Sequence, residues 1–129
     1  MGRGLSPLQI TAIETALTNR RKAAAGDPAF VDDKGARQGP DATYAEILKA
    51  HYGWPGETVT RNGRRIVLGN VFSAEDVGPT YRSGRSALSR ATWRLHQRGL
   101  VTCLRGRYRW AGITLTEAGV RAAELLVDK

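Results

Sequence analysis

Apolar positions at Ile10, Ile13, Leu17 and Ala24 recur at helical spacing and predict one face of an opening helix. Ser6-Pro7-Leu8-Gln9 supplies its start, with a capping hydroxyl, proline at the first helical position and glutamine three residues after the cap. The helix is expected to end near Gly26-Asp27-Pro28. From 26 to 40 the periodicity disappears among Gly, Pro, Asp and Lys. Only Phe30 and Val31 remain as anchors, which predicts a flexible surface loop. A second capping box, Thr43-Tyr44-Ala45-Glu46, opens a short helix with Tyr44, Ile47 and Leu48 turned inward, and Gly53 and Pro55 stop it.

The spacing then changes to a strand pattern. Asn62-Gly63, flanked by Val59 and by Ile66-Val67-Leu68, predicts a hairpin with a two-residue turn between Thr58 and Leu68. Ser73-Ala74-Glu75-Asp76 caps another short helix that ends by Gly78-Pro79. A longer helix is expected over residues 83–98, from Ser83 to Arg98, closed by Gly99. Leu100 to Leu104 and Tyr108 to Leu115 read as two strands around an Arg105-Gly106-Arg107 turn. Thr116-Glu117 begins a last helix carrying Val120, Ala123, Leu126 and Val127. The predicted fold class is α+β, mostly α. It is a single domain over residues 1–129, with a helix-turn-helix and an appended β wing over 73–115 and flanking helices at both ends.

A chain of 129 residues is long enough to bury one core without staples. Its single cysteine, Cys103, excludes an intrachain disulfide and argues against a cysteine zinc site, which suits a reducing compartment. No apolar run approaches the length of a membrane span, and Pro7, Gln9, Thr11 and Glu14 interrupt any signal-peptide core. Met1-Gly2-Arg3-Gly4-Leu5-Ser6 meets the loose N-myristoylation pattern, which is too short to carry a membrane assignment. The expected location is cytoplasmic.

Charge changes the picture more. Lys and Arg number 20 against 12 Asp and Glu, a net charge of +8. Between Asp76 and Glu117 lie 40 residues without an acid, carrying Arg82, Arg85, Arg90, Arg94, Arg98, Arg105, Arg107 and Arg109. The remaining twelve basic residues balance the twelve acidic ones, so the whole excess sits in one contiguous third of the chain. Such a block points to a polyanion, and the exclusive use of Arg within it suits phosphates and guanine edges.

On a helical wheel Leu88, Ala91, Thr92 and Leu95 form the inward stripe of the 83–98 helix. Ser86, Arg90, Trp93 and Gln97 lie opposite, with Ser89 and Arg94 at the edges and Arg82 and Arg85 near the start. An outward face of hydroxyls, guanidiniums and an amide fits a major groove, with Arg90 placed for a bidentate contact to guanine. An ordinary solvated helix would mix both signs of charge for i,i+4 pairing, and this one does not. In the predicted hairpin Arg107 and Arg109 share one face while Tyr108 and Trp110 share the other. Charges of this kind also protect edge strands from aggregation, but three arginines around one glycine exceed that need. For Trp93 two roles stay open, packing on the wing or a second protomer, and contact with DNA.

The run Leu88-Ser89-Arg90-Ala91-Thr92-Trp93-Arg94-Leu95-His96-Gln97-Arg98-Gly99-Leu100-Val101, followed by Ile113-Thr114-Leu115-Thr116-Glu117-Ala118-Gly119, resembles the winged helix-turn-helix transcriptional regulators of the broad MarR-like and PadR-like group. The resemblance covers roughly residues 70 to 120. It implies that Ser86, Ser89, Arg90 and Arg94 match DNA-facing positions of a recognition helix and that Arg105 to Arg109 match the wing. It also implies a homodimer on a palindrome, paired through the terminal helices, here those beginning at Ser6 and Thr116.

The expected function is therefore sequence-specific binding of double-stranded DNA by a transcriptional regulator, a repressor by preference. The expected DNA-binding residues are Arg82, Arg85, Ser86, Ser89, Arg90, Trp93, Arg94, Arg105, Arg107 and Arg109. Two alternatives are a winged-helix module docking an acidic protein, with Trp93 and Trp110 as anchors, and an RNA-binding protein using exposed aromatics. No residue constellation suggests an enzyme, a metal or a cofactor. His51 and His96 stand on separate helices, Asp32-Asp33 has no partner motif, and no Gly-rich stretch ends as a phosphate loop does. Cys103 is expected to be a buried structural thiol, with a redox switch as the alternative.

Overall fold

The computed structural model describes residues 4–28, 30–31, 34–35, 39–54, 58–61, 64–67, 74–104 and 111–128; for 58–61, 64–67, 74 and 76 it describes the backbone alone. Helix α1 (Pro7–Ala24) starts as its sequence dictates. The Ser6 hydroxyl accepts from Gln9 N–H at 3.2 Å, and Gln9 Oε1 accepts from Ser6 N–H at 2.9 Å. Its buried side is Leu8, Ala12, Ile13, Ala16, Leu17 and Ala23, whereas Ala24 is exposed and Ile10 half-buried. The face therefore differs in part from the predicted one. α1 has neighbours on several sides.

The Thr43 capping box forms, with its hydroxyl accepting from Glu46 N–H at 3.2 Å, and helix α2 (Tyr44–Tyr52) follows. Gly53 ends it at φ 69°, a conformation that glycine adopts without a Cβ penalty. Strands β2 (Thr58–Arg61) and β3 (Arg64–Val67) pair antiparallel in the register the Asn62-Gly63 signal predicts, Arg61 opposite Arg64. Helix α3 (Ala74–Val77) is a single turn. Helix α4 (Tyr81–Gln97) begins two residues before the predicted start. The Ser83 hydroxyl donates to Thr80 O at 3.2 Å inside the first turn. Strands β4 (Val101–Leu104) and β5 (Gly112–Leu115) pair antiparallel, and helix α5 (Glu117–Val127) starts where Thr116-Glu117 predicts, with Thr116 as its cap. The predicted Arg105-Gly106-Arg107 turn lies outside the described residues.

One strand has no counterpart in the sequence pattern. β1 (Ala42–Thr43) pairs with β5 and gives a three-stranded antiparallel sheet in the order β1-β5-β4. Two residues are too few to show a period of two. A buried carboxylate holds the strand in place. Asp41 Oδ2 accepts from Leu115 N–H at 2.8 Å and from Arg20 Nη1 at 3.3 Å, while Arg20 also donates to Leu115 O at 3.0 Å. Asn19 Nδ2 donates to Asp41 O at 2.9 Å, so α1, β1 and β5 share one polar clasp.

The architecture is thus α+β and mostly helical, with its small sheet against the helices. Ile13, Ile47, Leu95 and Ile113 are fully buried at the centre, joined by Leu17, Leu48, Leu88, Val101 and Leu115. The helix packed beside α4 together with α1 is α2, and residues 53–80 connect α2 to α4 in place of a tight turn. α1 is the central helix and touches α2, α4, α5 and β5. Its apolar face is used within the chain. Of the two terminal helices, α5 is the one with large apolar side chains in solvent, Leu125 at 74% exposure and Val127 at 41%. Arg21 pairs with Asp128 at 2.7 Å and ties the ends of α1 and α5 together. The hydrogen bond from Arg21 holds the Asp128 carboxyl below its usual value, so the tie persists at neutral pH and loosens only as pH falls through that lowered value.

Candidate nucleic-acid interface

The acid-free block builds α4 and the two strands after it. The inward stripe is as the periodicity predicts, with Leu88, Ala91, Thr92 and Leu95 buried. Thr92 disposes of its hydroxyl by donating to Leu88 O at 2.9 Å. Arg82, Arg85, Ser86, Ser89, Arg90, Trp93 and Arg94 are all exposed, together with Gln97 and Arg98. Arg105, Arg107 and Arg109, and with them Tyr108 and Trp110, lie outside the described residues.

Among the described residues no carboxylate answers the charge of the helix. The ion pairs among the described residues are Arg20–Asp41 and Arg21–Asp128, and neither involves α4. Arg82, Arg90, Arg94 and Arg98 therefore meet no carboxylate among the described residues. Arg85 is set apart from them. Its Nη1 donates to the Tyr81 hydroxyl at 3.0 Å and its guanidinium lies 5.5 Å from that ring, which draws it to the flank of the helix.

Trp93 is half exposed, with its ring 5.2 Å from that of His96. It borders a recess of about 280 Å³ shared with Tyr44, Ser89, His96 and Cys103, which brings it beside β4. Cys103 is half-buried rather than buried, with Sγ 3.7 Å from Thr92 O. The histidines have local partners: His96 Nδ1 donates to Val101 O at 3.2 Å, and His51 Nδ1 lies 2.9 Å from Thr11 Oγ1. Among the described residues no three His, Cys, Asp or Glu side chains gather as metal ligands.

A feature that periodicity did not reveal fixes how α4 presents its face. Tyr52, Trp54 and Tyr81 stack in series at centroid separations of 5.4 and 5.6 Å, and the buried Trp54 presses on Gly84 within α4. A Cβ at Gly84 would lie 2.5 Å from Trp54 Cζ2. The visible signal was a glycine inside a helix, which costs about 1 kcal/mol relative to alanine and therefore implies a close approach. Gly84→Ala is accordingly expected to lose about 1–2 kcal/mol rather than gain helix stability. Urea denaturation checks this, and a stabilised variant would show that the stack does not constrain α4.

No protein-family model matches the chain, and no curated protein or solved structure matches it either. Among the described residues no helix is long and apolar enough to cross a membrane.

Proposed function

We propose that this protein is a sequence-specific double-stranded-DNA-binding transcriptional regulator of the winged helix-turn-helix type, acting as a repressor in the cytoplasm at the nucleoid. The observation that carries the reading is the outward face of α4. Arg82, Ser86, Arg90, Trp93 and Arg94 are exposed there, and no arginine among them is neutralised by a described carboxylate. The order α1, β1, α2, α4, β4 and β5, with the β2–β3 pair and the single turn α3 inserted between α2 and α4, supports it, because a winged helix places three packed helices before a two-stranded wing. α4 enters a major groove and reads bases from Ser86, Ser89 and Arg90. The wing arginines Arg105, Arg107 and Arg109 hold flanking phosphate or minor groove. Two protomers pair through the exposed Leu125 and Val127 of α5 and so match a two-fold-symmetric site.

Selection of bound sequences from a random duplex library tests recognition, specificity and symmetry together. An enriched palindrome is expected; an unselected pool contradicts the reading. Reader and clamp also separate by mutation. Arg90→Ala is expected to relax base preference, at a cost of about 1–3 kcal/mol on the selected site. Arg107→Ala is expected to weaken selected and random duplex alike. Binding measured on both DNAs decides it, and equal losses from both variants would remove the division. Preference for an acidic protein or for unpaired RNA over duplex in direct competition would favour the corresponding rival instead.

A further inference from the structure

An open groove of about 1050 Å³ runs between α4 and the first turn of α1. One wall carries Arg90, Arg94 and Arg98, and the other carries Leu5, Ser6 and Pro7. The three arginines follow one another at four-residue intervals, which sets their Cα atoms about 6 Å apart along the helix axis. That step is close to the separation of adjacent phosphates along a nucleic-acid strand. Among the described residues no carboxylate lines the groove, and the first turn of α1 contains no acid. A single compact anion would engage one or two of these guanidiniums. A row spaced by helical turns in a groove open to solvent fits a linear polyanion.

We infer that one DNA strand lies in this groove, with its phosphates held by Arg94 and Arg98 against the first turn of α1, beside the base-reading Arg90. The inference rests on the duplex-binding function proposed above. It adds Arg98 and the start of α1 to the interface, although α1 is remote in sequence from the basic block. Arg90 stands at the outward end of the row, where the strand meets the base-reading face, while Arg94 and Arg98 lead away from the bases.

Pro7→Glu tests the far wall without harming the fold. Pro7 is exposed at the first helical position, where a carboxylate interacts favourably with the helix N-terminus. The same substitution at exposed Thr18, elsewhere on α1, controls for net charge. Pro7→Glu is expected to melt no lower than wild type yet bind selected and random duplex at least about fivefold more weakly at low salt, with Thr18→Glu little changed. Arg98→Gln is expected to lower the magnitude of the log K against log salt slope by about one per protomer, again without altering base preference. If Pro7→Glu and Arg98→Gln both bind as wild type does, the strand does not lie in the groove and the proposed function stands without it. If wild-type protein binds no duplex at all, both fail together.

Discussion

Reversing two charges at once, Arg90→Glu with Arg94→Glu, is expected to lower affinity for duplex DNA by at least about a thousandfold near 0.1 M salt. The size of the effect follows from counting. Each protomer loses two phosphate- or base-directed cations and gains two anions, and a dimer doubles both changes. Salt at this concentration screens charges beyond about 10 Å, so the loss reports direct contact rather than distant attraction. The fold should be indifferent to the change. Both side chains are exposed and neither makes a described ion pair or hydrogen bond, so nothing inside the molecule is broken. Glutamate is as good a helix former as arginine. Fluorescence anisotropy with a labelled duplex, beside a thermal melt, separates the two readouts. A loss below about tenfold with an unchanged melt would mean that α4 is not the nucleic-acid surface.

The largest effect on stability is expected from one added methyl group. Gly119→Ala places a Cβ against the carbonyl oxygen of Leu100, with the Leu115 side chain 3.2 Å away on the same side. The surrounding backbone cannot yield easily. Thr116 N–H donates to Leu100 O at 3.0 Å, the Thr116 hydroxyl donates to Gly99 O at 2.6 Å, and Gly119 N–H donates back to that hydroxyl at 3.1 Å. Relieving the overlap requires prying the first turn of α5 from the turn that ends α4. A cost of at least about 3 kcal/mol is expected, with unfolding detected by circular dichroism or urea titration. An alanine variant as stable as the parent would show that α5 sits further from Leu100 than the structure places it. The requirement for glycine at position 119 is close packing, not left-handed backbone, since Gly119 lies within α5.

The caps were the most legible part of the fold. Ser6 with Gln9 and Thr43 with Glu46 each start a helix as their spacing predicts, because a capping hydroxyl and its partner lie within four residues of one another. The apolar stripe of α4 was equally visible, as its period is intrinsic to the helix. Long-range contacts were not. β1 exists because Asp41 bonds Leu115 and Arg20, partners 74 and 21 residues away, and no local pattern announces such a clasp. Ala24 looked apolar and in phase yet is exposed, while its neighbour Ala23 is the buried residue of that last turn. The packing of α1 against α2, α4, α5, β1 and β5 likewise depends on where those elements return.

The same division holds for the candidate interface. Clustering of arginine and the absence of acids were properties of the chain, and the exposed face of α4 follows from its period. The flank position of Arg85 depends on a tyrosine one turn earlier, and the groove that adds Arg98 depends on α1 lying alongside. Trp54 drew no notice beside the basic block, yet its stack against Gly84 fixes how α4 is presented.

Titration of duplex-DNA affinity against salt bears most directly on the claim that this uncompensated arginine surface binds a polyanion. With about four to six arginines per protomer each neutralising a phosphate, log K against log salt should fall with a slope of roughly −7 to −11 for a dimer. A slope shallower than about −2 would mean that these arginines do not meet phosphates and would contradict the account.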